Sequence, residues 1–216
     1  MEVKLLLAGN PGGLMQTLYG RFEASGAHAL VAVPKKGSRE GQKEGTDLEA
    51  DGNELAWTKR SPISAKAVVT AAYNRLGQSF DTILVCDLTS AGSAERAPSA
   101  AEVERRIDDE IKAALYLSRE VTERRVFDEP ARLSFVLVEG SEPRAPIDRL
   151  VLRGLEGFAE SLFESKNIIR GFRCVDDDTE GFAQAVVDEI AGDGRKSRGR
   201  WLVHGKRSVL GLFSGR

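Results

Sequence analysis

A cluster of glycines near the start of the chain stands between an apolar run and an amphipathic segment, in the string LLLAGNPGGLMQTL. Gly9, Gly12 and Gly13 would permit the positive φ of a tight turn and a close approach of a ligand to the backbone. The helix that follows would point its first N–H groups at an anion. This pattern is typical of a turn that holds the pyrophosphate of a dinucleotide. A simple sharp turn between a strand and a helix remains the alternative.

The second apolar run ends in ALVAVPKKG, without the acidic residue that binds the adenosine ribose in NAD-binding sheets. Lys35 and Lys36 follow it instead, and cations at this place suit the 2′-phosphate of NADP. Two lysines at the start of a polar loop are also commonly solvated, and this alternative stays open.

The sequence contains no recognisable metal site or activated nucleophile. His28 and His204 are far apart in the sequence, and with Cys86 and Cys174 they form no metal-ligand spacing. Each cysteine lies in an apolar run typical of a buried strand, so we expect no disulfide and a reducing, cytoplasmic setting. Neither a P-loop nor a nucleophile elbow is present.

Short apolar runs alternate with longer helical patterns, which predicts strand–helix–strand units around a parallel sheet. The predicted fold is α/β, a Rossmann-like, doubly wound, three-layer sheet in one domain over residues 1–216, with a basic tail from about residue 194. The predicted strands are Val3–Ala8, Ala29–Val33, Glu54–Trp57, Thr82–Cys86, Leu133–Val138, Ile169–Val175 and Trp201–His204. The predicted helices are Leu14–Ser25, Ser61–Leu76, Ala101–Arg125, Asp148–Ser165 and Thr179–Ala191. Residues 34–52 are predicted to form a long loop.

Composition excludes several classes of protein. The 216 residues are 41% hydrophobic, which is enough for one well-buried domain. A net charge of −2 offers no general attraction to nucleic acid. Because no apolar run is long enough to span a membrane and no leader precedes the first strand, we expect a soluble, cytoplasmic protein.

In order and spacing, these elements resemble the short-chain dehydrogenase/reductase family over nearly the whole chain. LLLAGNPGGLMQTL corresponds to its glycine-rich turn, RLGQSFDTILVCDLTSAG to its strand ending in Asn-Asn-Ala-Gly, and IDDEIKAALYLSREV and LRGLEGFAESL to its fourth and fifth helices. The family's last turn glycine falls on Met15, whose long side chain we expect to hinder a dinucleotide. The departures from the family's pattern therefore predict that this chain binds no cofactor and that NAD(P) is held by a partner subunit.

The same resemblance implies that the family's catalytic residues are missing. In that family a tyrosine moves the proton, and a lysine one helical turn later lowers the pKa of that tyrosine. None of Tyr19, Tyr73 and Tyr116 is followed by such a lysine. The correspondence of the fifth helix puts Asp148 at the tyrosine position and Leu152 at the lysine position.

The family's other two catalytic positions carry acids. Glu139 falls near the serine position, with Ser141 as a shifted alternative, and Glu110 falls at the asparagine position. Glu110, Glu139 and Asp148 could converge as a carboxylate group for acid–base chemistry. The interpretation that we favour is that all three are solvated or salt-bridged.

The resemblance thus points to a degenerate, pseudoenzyme-like member, a non-catalytic subunit of a heteromeric NAD(P)-dependent dehydrogenase or reductase. Such heteromers include the hydroxybenzylsuccinyl-CoA dehydrogenase of anaerobic toluene degradation, which implies an acyl-CoA hydroxy or keto substrate in a β-oxidation-like pathway. The alternatives are an autonomous NADP-dependent oxidoreductase with a displaced active site, or a nucleotide-binding regulatory domain.

Members of the family commonly form tetramers through their fourth and fifth helices, so the resemblance implies a hetero-oligomer with an active subunit. The predicted interface residues share helical spacing on these two helices and are Ile111, Leu115, Leu155, Phe158 and Leu162. The alternative is that they face only the chain's own sheet. In the basic tail, Arg207 and Arg216 are predicted to contact an anionic substrate in the partner, and a solvated tail is the other interpretation.

Overall fold

In the part of the chain that the structure describes, seven parallel strands form one sheet. In this computed structural model, the described residues are 3–34, 52–77, 79–88, 97–123, 132–140, 145–165, 169–192 and 197–205. The strands are β1 Lys4–Gly9, β2 His28–Pro34, β3 Glu54–Trp57, β4 Asp81–Asp87, β5 Arg132–Val138, β6 Ile169–Cys174 and β7 Trp201–His204. Their order across the sheet is β3-β2-β1-β4-β5-β6-β7. The predicted α/β, doubly wound fold in one domain is therefore confirmed.

Helices cover both faces of the sheet. They are α1 Gly13–Ala24, α2 Pro62–Leu76, α3 Ala100–Arg106, α4 Ala113–Glu123, α5 Pro146–Ser165 and α6 Thr179–Ala191. Ser99 begins α3 with a reciprocal capping box to Glu102, which satisfies backbone donors that the helix leaves free. The single helix predicted for residues 101–125 is wrong in one respect, because a π-helical turn, Ile107–Lys112, separates α3 from α4.

The apolar core forms two clusters, one on each face of the sheet. Buried residues of α2, α4 and α5 pack on one face, and those of α1 and α6 pack on the other. β4 is buried along nearly its whole length because helices cover both of its sides. Cys86 and Cys174 are both free and buried, in β4 and β6 respectively.

The strand order reverses beside β1, which pairs with β2 on one side and with β4 on the other. In open parallel sheets, ligands bind at such a reversal, beyond the carboxyl ends of the strands. No helix in the described part of the chain is long and apolar enough to cross a bilayer. Lys35, Lys36, Ser141, Arg207 and Arg216 lie outside the described residues, as do most of the predicted loop and the last part of the tail.

Candidate functional site

The glycine-rich turn lies at the carboxyl end of β1 and rests on β4. Gly9 has a φ of +146°, and a Cβ there would lie 1.9 Å from the Val85 carbonyl oxygen, so that only glycine fits. The backbone N–H of Asn10 donates to the same carbonyl at 3.3 Å. Its side-chain amide donates to the Asp87 carbonyl, also at 3.3 Å. The turn is therefore held against β4 by one close backbone approach and two hydrogen bonds.

The start of α1 is open. Gly12 precedes it in extended conformation, with no side-chain cap from the described residues and no acidic residue in the first turn. A Cβ on Gly12 would have the Asp87 Oδ2 atom as its nearest neighbour, at 3.7 Å, and one on Gly13 would meet no described heavy atom within 4 Å. Because the first N–H groups of a helix have no acceptor within it, this turn fits the pyrophosphate of a dinucleotide.

Met15 does not hinder that approach, contrary to the prediction from the sequence. It is 5% exposed and belongs to the cluster that α1 packs against the sheet, together with Leu14 and Leu18. Its side chain therefore fills the core beneath the helix, because this position of α1 faces the sheet and not the turn.

Four charged side chains from different elements lie beside the turn, in the cleft at the carboxyl ends of the strands. Lys59, in the loop after β3, donates from Nζ to Asn10 Oδ1 at 2.5 Å and lies 3.4 Å from Glu110 Oε2. Arg106 Nη1 lies 3.8 Å from Glu110 Oε1, and its Nη2 donates to Asp148 Oδ1 at 2.5 Å. We call this arrangement the ionic chain, formed by Lys59, Glu110, Arg106 and Asp148.

Glu110 is the acid at the centre of the ionic chain, and its side chain is 10% exposed. It lies in the π-helical turn, an irregularity that is frequent at functional sites. Burial raises the pKa of its carboxyl above the ordinary value, although Lys59 and Arg106 act to lower it. The Cys86 thiol nearby has its pKa raised by burial and further by Glu110, so it stays protonated and is not an activated nucleophile.

A small cavity of about 20 Å³ lies against the ionic chain. It has room for roughly one water molecule, whereas sites for small organic ligands have roughly 300–1,000 Å³. Its charged lining comes from Lys59, Glu110 and Asp109. The rest of the lining comes from Gly9, Trp57, β4, β5 and the helices α4 and α5. A nicotinamide ring therefore enters this space only if the side chains of the ionic chain move.

The three acids singled out by the sequence do not converge on one point. Glu110 and Asp148 share one arginine, and Asp148 is 2% exposed. Glu139 belongs to a separate cluster beyond β5, where it pairs with Arg153 at 3.1 Å and accepts from Arg173 Nε at 3.0 Å. All three are ion-paired within the chain. That none of them is catalytic, the interpretation favoured from the sequence, stays a prediction.

No residue pair that resembles a tyrosine and its lysine lies at the cleft. Leu152, at the family's lysine position, is 8% exposed and packs in the core with Leu155. None of the tyrosines, all of which are described, lines the cavity. Tyr19 lies on α1, where its hydroxyl donates to Glu23, and this hydrogen bond raises its pKa above the ordinary value.

Metal ligation finds no support in the part of the chain that the structure describes, where no group of three or more candidate ligands lies together. His204 Nε2 lies 3.0 Å from Asp178 Oδ2, at the start of α6. His28 begins β2, on the other side of the sheet from β7.

The predicted interface residues differ in how deeply they are buried. Leu155 is 3% exposed, so it packs in the chain's own core and is not a surface contact, because α5 turns this position toward the sheet. Phe158 packs edge-on against Phe135, with ring centroids 5.9 Å apart. Leu115 is 36% exposed. Ile111 and Leu162 are partly buried and pack against the core. Association through this face stays a prediction.

The sequence motifs do not single out Lys59 or Arg106 as site residues. The position of each in the sequence nevertheless gives a reason to expect it at the site. Lys59 closely follows β3, and the loops at the carboxyl ends of parallel strands meet at the ligand-binding edge. Arg106 precedes Glu110 by one helical turn, a spacing at which opposite charges pair.

Solved structures of short-chain dehydrogenases share this fold. One from Bacillus anthracis has a TM-score of 0.68 at 13% identity, with 93% of this chain and 94% of that chain covered. An oxidoreductase of this family from Brucella ovis, in complex with a partially ordered NAD, has a TM-score of 0.66 at 15% identity, with coverage of 95% and 100% respectively. A short-chain dehydrogenase from Burkholderia cenocepacia in complex with NADP has 0.66 at 16% identity, with 93% and 95% covered.

No protein-family model matches the chain, and no curated protein matches its sequence. The NAD and NADP complexes of the structural neighbours overturn the prediction that this chain binds no cofactor and leaves NAD(P) to a partner. The physical reason for the error is Met15, which was expected in the turn and lies in the core. The chain has the fold of the short-chain dehydrogenases/reductases.

Proposed function

We propose that this chain is a member of the short-chain dehydrogenase/reductase family that binds a nicotinamide dinucleotide. It would act as a subunit of an oxidoreductase complex, because it lacks the tyrosine and lysine that transfer the proton in that family. The observation that carries the proposal is the open start of α1 at the reversal of strand order. There Gly12 and Gly13 carry no side chain that would obstruct a pyrophosphate at the first N–H groups of the helix. A bound nicotinamide would supply hydride transfer.

The side chains at the family's proton-transfer positions support the proposal that this subunit has no catalytic activity by itself. Asp148 is buried and hydrogen-bonded to Arg106, so that its carboxylate has a fixed partner within the chain. Leu152 is an apolar residue at the position where the family's lysine would orient the cofactor ribose, so no cation is present there. An active partner of the same family, acting on an acyl-CoA hydroxy or keto substrate, would provide the missing groups.

A second candidate function, an autonomous oxidoreductase with a displaced site, is favoured by a specific observation. Glu110 is an acid at the cleft whose side chain is only 10% exposed, and this partial burial raises its pKa, as is common for a general acid in an enzyme. In that case Glu110 would hold the proton, and Lys59 would orient it. The two candidates differ in whether the isolated chain turns over a substrate.

The binding part of the proposal is tested by calorimetric titration of NADH and NADPH into wild type and two glycine variants. Gly13→Asp places a carboxylate at the start of α1, where the pyrophosphate would bind and where aspartate is otherwise favourable for helix stability. Because the carboxylate would repel the pyrophosphate, we expect about tenfold weaker binding. Gly20→Asp makes the same change on the same helix, also in open space, and serves as the matched control. Equal affinity of both variants and wild type would place the cofactor elsewhere.

The subunit part is tested by purifying the tagged chain from its native cell and measuring turnover of hydroxyacyl-CoA or ketoacyl-CoA thioesters with NAD(P). We expect turnover from the co-purified complex and none from the isolated chain. Turnover by the isolated chain that is lost in Glu110→Gln would establish the second candidate and reject the first.

A further inference from the structure

Lys59 is the only member of the ionic chain that also reaches the glycine-rich turn. Its Nζ donates to the side chain of Asn10, which stands within that turn. Its pairing with Glu110 is looser, at 3.4 Å, and its side chain is 11% exposed. The ammonium therefore lies between an acid that it contacts weakly and the turn that fits a pyrophosphate.

Glu110 depends on this ammonium more than on its other cation. Arg106 lies 3.8 Å from Glu110, but its guanidinium already donates to Asp148 at 2.5 Å. A carboxylate that is 10% exposed and loses its nearer cation is left charged in a poorly solvated place. Such a group binds a proton more readily, because the nearer of the two cations that favour its charged form has moved away and only the more distant Arg106 remains.

We propose that a diphosphate-bearing nucleotide at the start of α1 takes over the Lys59 ammonium from Glu110, and that Glu110 then binds one proton from solvent. This inference rests on the proposed function. A diphosphate carries more negative charge than one carboxylate, and the flexible lysine stem allows its ammonium to turn toward the phosphate without movement of the backbone. Breaking the Lys59–Glu110 contact also opens the cavity, since both side chains line it.

Other ionisable groups face the same place and have to be considered in the pH dependence. Cys86 and Asp87 belong to β4, Arg106 and Asp109 to the α3–π-helical segment, Asp148 to α5 and Lys59 to the loop after β3. Burial and Glu110 raise the pKa of the Cys86 thiol, so it keeps its proton throughout the neutral range. Glu110, at the centre of these groups, lies 3.4 Å from the ammonium of Lys59.

The experiment is calorimetric titration of NADH and NADPH near neutral pH in two buffers of different heats of ionisation, which counts the protons taken up per ligand bound. We expect wild type to take up protons on binding. Glu110→Gln should bind without this uptake, and the difference between the two proteins cancels any titration of the ligand itself. Lys59→Gln should bind about tenfold more weakly and also without uptake, because its Glu110 has lost the ammonium before the ligand arrives.

Two further variants separate this role from a general loss of structure. Lys59→Arg keeps the cation and should restore most of the affinity, whereas Lys66→Gln changes an exposed lysine on α2 and should behave as wild type. Thermal unfolding of every variant shows whether it folds. Equal affinity and equal proton uptake in wild type, Glu110→Gln and Lys59→Gln would overturn this inference and leave the proposed function standing. Failure of wild type to bind either nucleotide would overturn both.

Discussion

The buried pair of Arg106 and Asp148 allows the sharpest prediction about stability. Arg106 Nη2 donates to Asp148 Oδ1 at 2.5 Å, and the exposed fractions of the two side chains are 14% and 2%. Arg106→Met removes the cation but keeps much of the hydrocarbon stem. The carboxylate of Asp148 is then left charged and without its partner at the start of α5.

The size of the effect follows from that burial. Removing one partner of a buried ion pair costs about 3–5 kcal/mol in the free energy of unfolding, because the other charge stays buried. Since Arg106 keeps some contact with water, we expect the lower end, about 3 kcal/mol. For a domain of this size about 1 kcal/mol lowers the Tm by about 2–4 °C, so Arg106→Met should lower it by about 6–12 °C.

Thermal and urea unfolding of three variants decide the matter. Arg105→Met is the control, because Arg105 is 56% exposed and its pairing with Asp109 at 3.7 Å is a surface contact worth about 0.5 kcal/mol or less. The double variant Arg106→Met with Asp148→Leu leaves no unpaired charge at this position and should be more stable than Arg106→Met alone. If Arg106→Met behaves like Arg105→Met, or if the double variant is the less stable one, the reasoning on this pair is refuted.

Two further predictions concern pH and association. Because burial raises the pKa of Glu110 in the folded chain, the folded state binds more protons than the unfolded state between the two pKa values, and stability falls as the pH rises through the raised value. Urea unfolding between about pH 5 and pH 8 should show a flatter profile for Glu110→Gln, whereas the exposed control Glu104→Gln should follow wild type. Leu115→Glu should reduce the oligomer on a sizing column with little change in Tm, because this side chain is 36% exposed. Leu155→Glu should instead destabilise the fold by about 3 kcal/mol or more, and an unchanged oligomer in Leu115→Glu would contradict association through this face.

The order and the type of the elements follow from the sequence alone. β3, α6 and β7 have the predicted bounds, and the other strands differ from prediction by a residue or so at their ends. The reason is that burial on one or both faces imposes a period of apolar residues, and this period is a local property of each segment. The alternation of strands and helices then restricts the topology to a parallel sheet, since consecutive parallel strands need a crossover helix.

The content of the cleft was decided by tertiary structure. Met15 is read from the sequence as an obstacle in the turn, but the orientation of α1 on the sheet buries it. The π-helical turn that holds Glu110 has no signature in an otherwise regular helical pattern. Both features depend on how a helix is placed against its neighbours, which no local period specifies.

The ionic chain shows the same distinction most clearly. Lys59, Glu110 and Asp148 are far apart in the sequence, and each by itself is typical of a solvated surface position. They meet because the loops at the carboxyl ends of parallel strands, together with the helices that follow them, converge on one edge of the sheet. The sequence by itself therefore determines which strands and helices form and that a cleft exists at the carboxyl edge. Only the folded chain determines which charges share that cleft, because ion pairing acts through space and not along the chain.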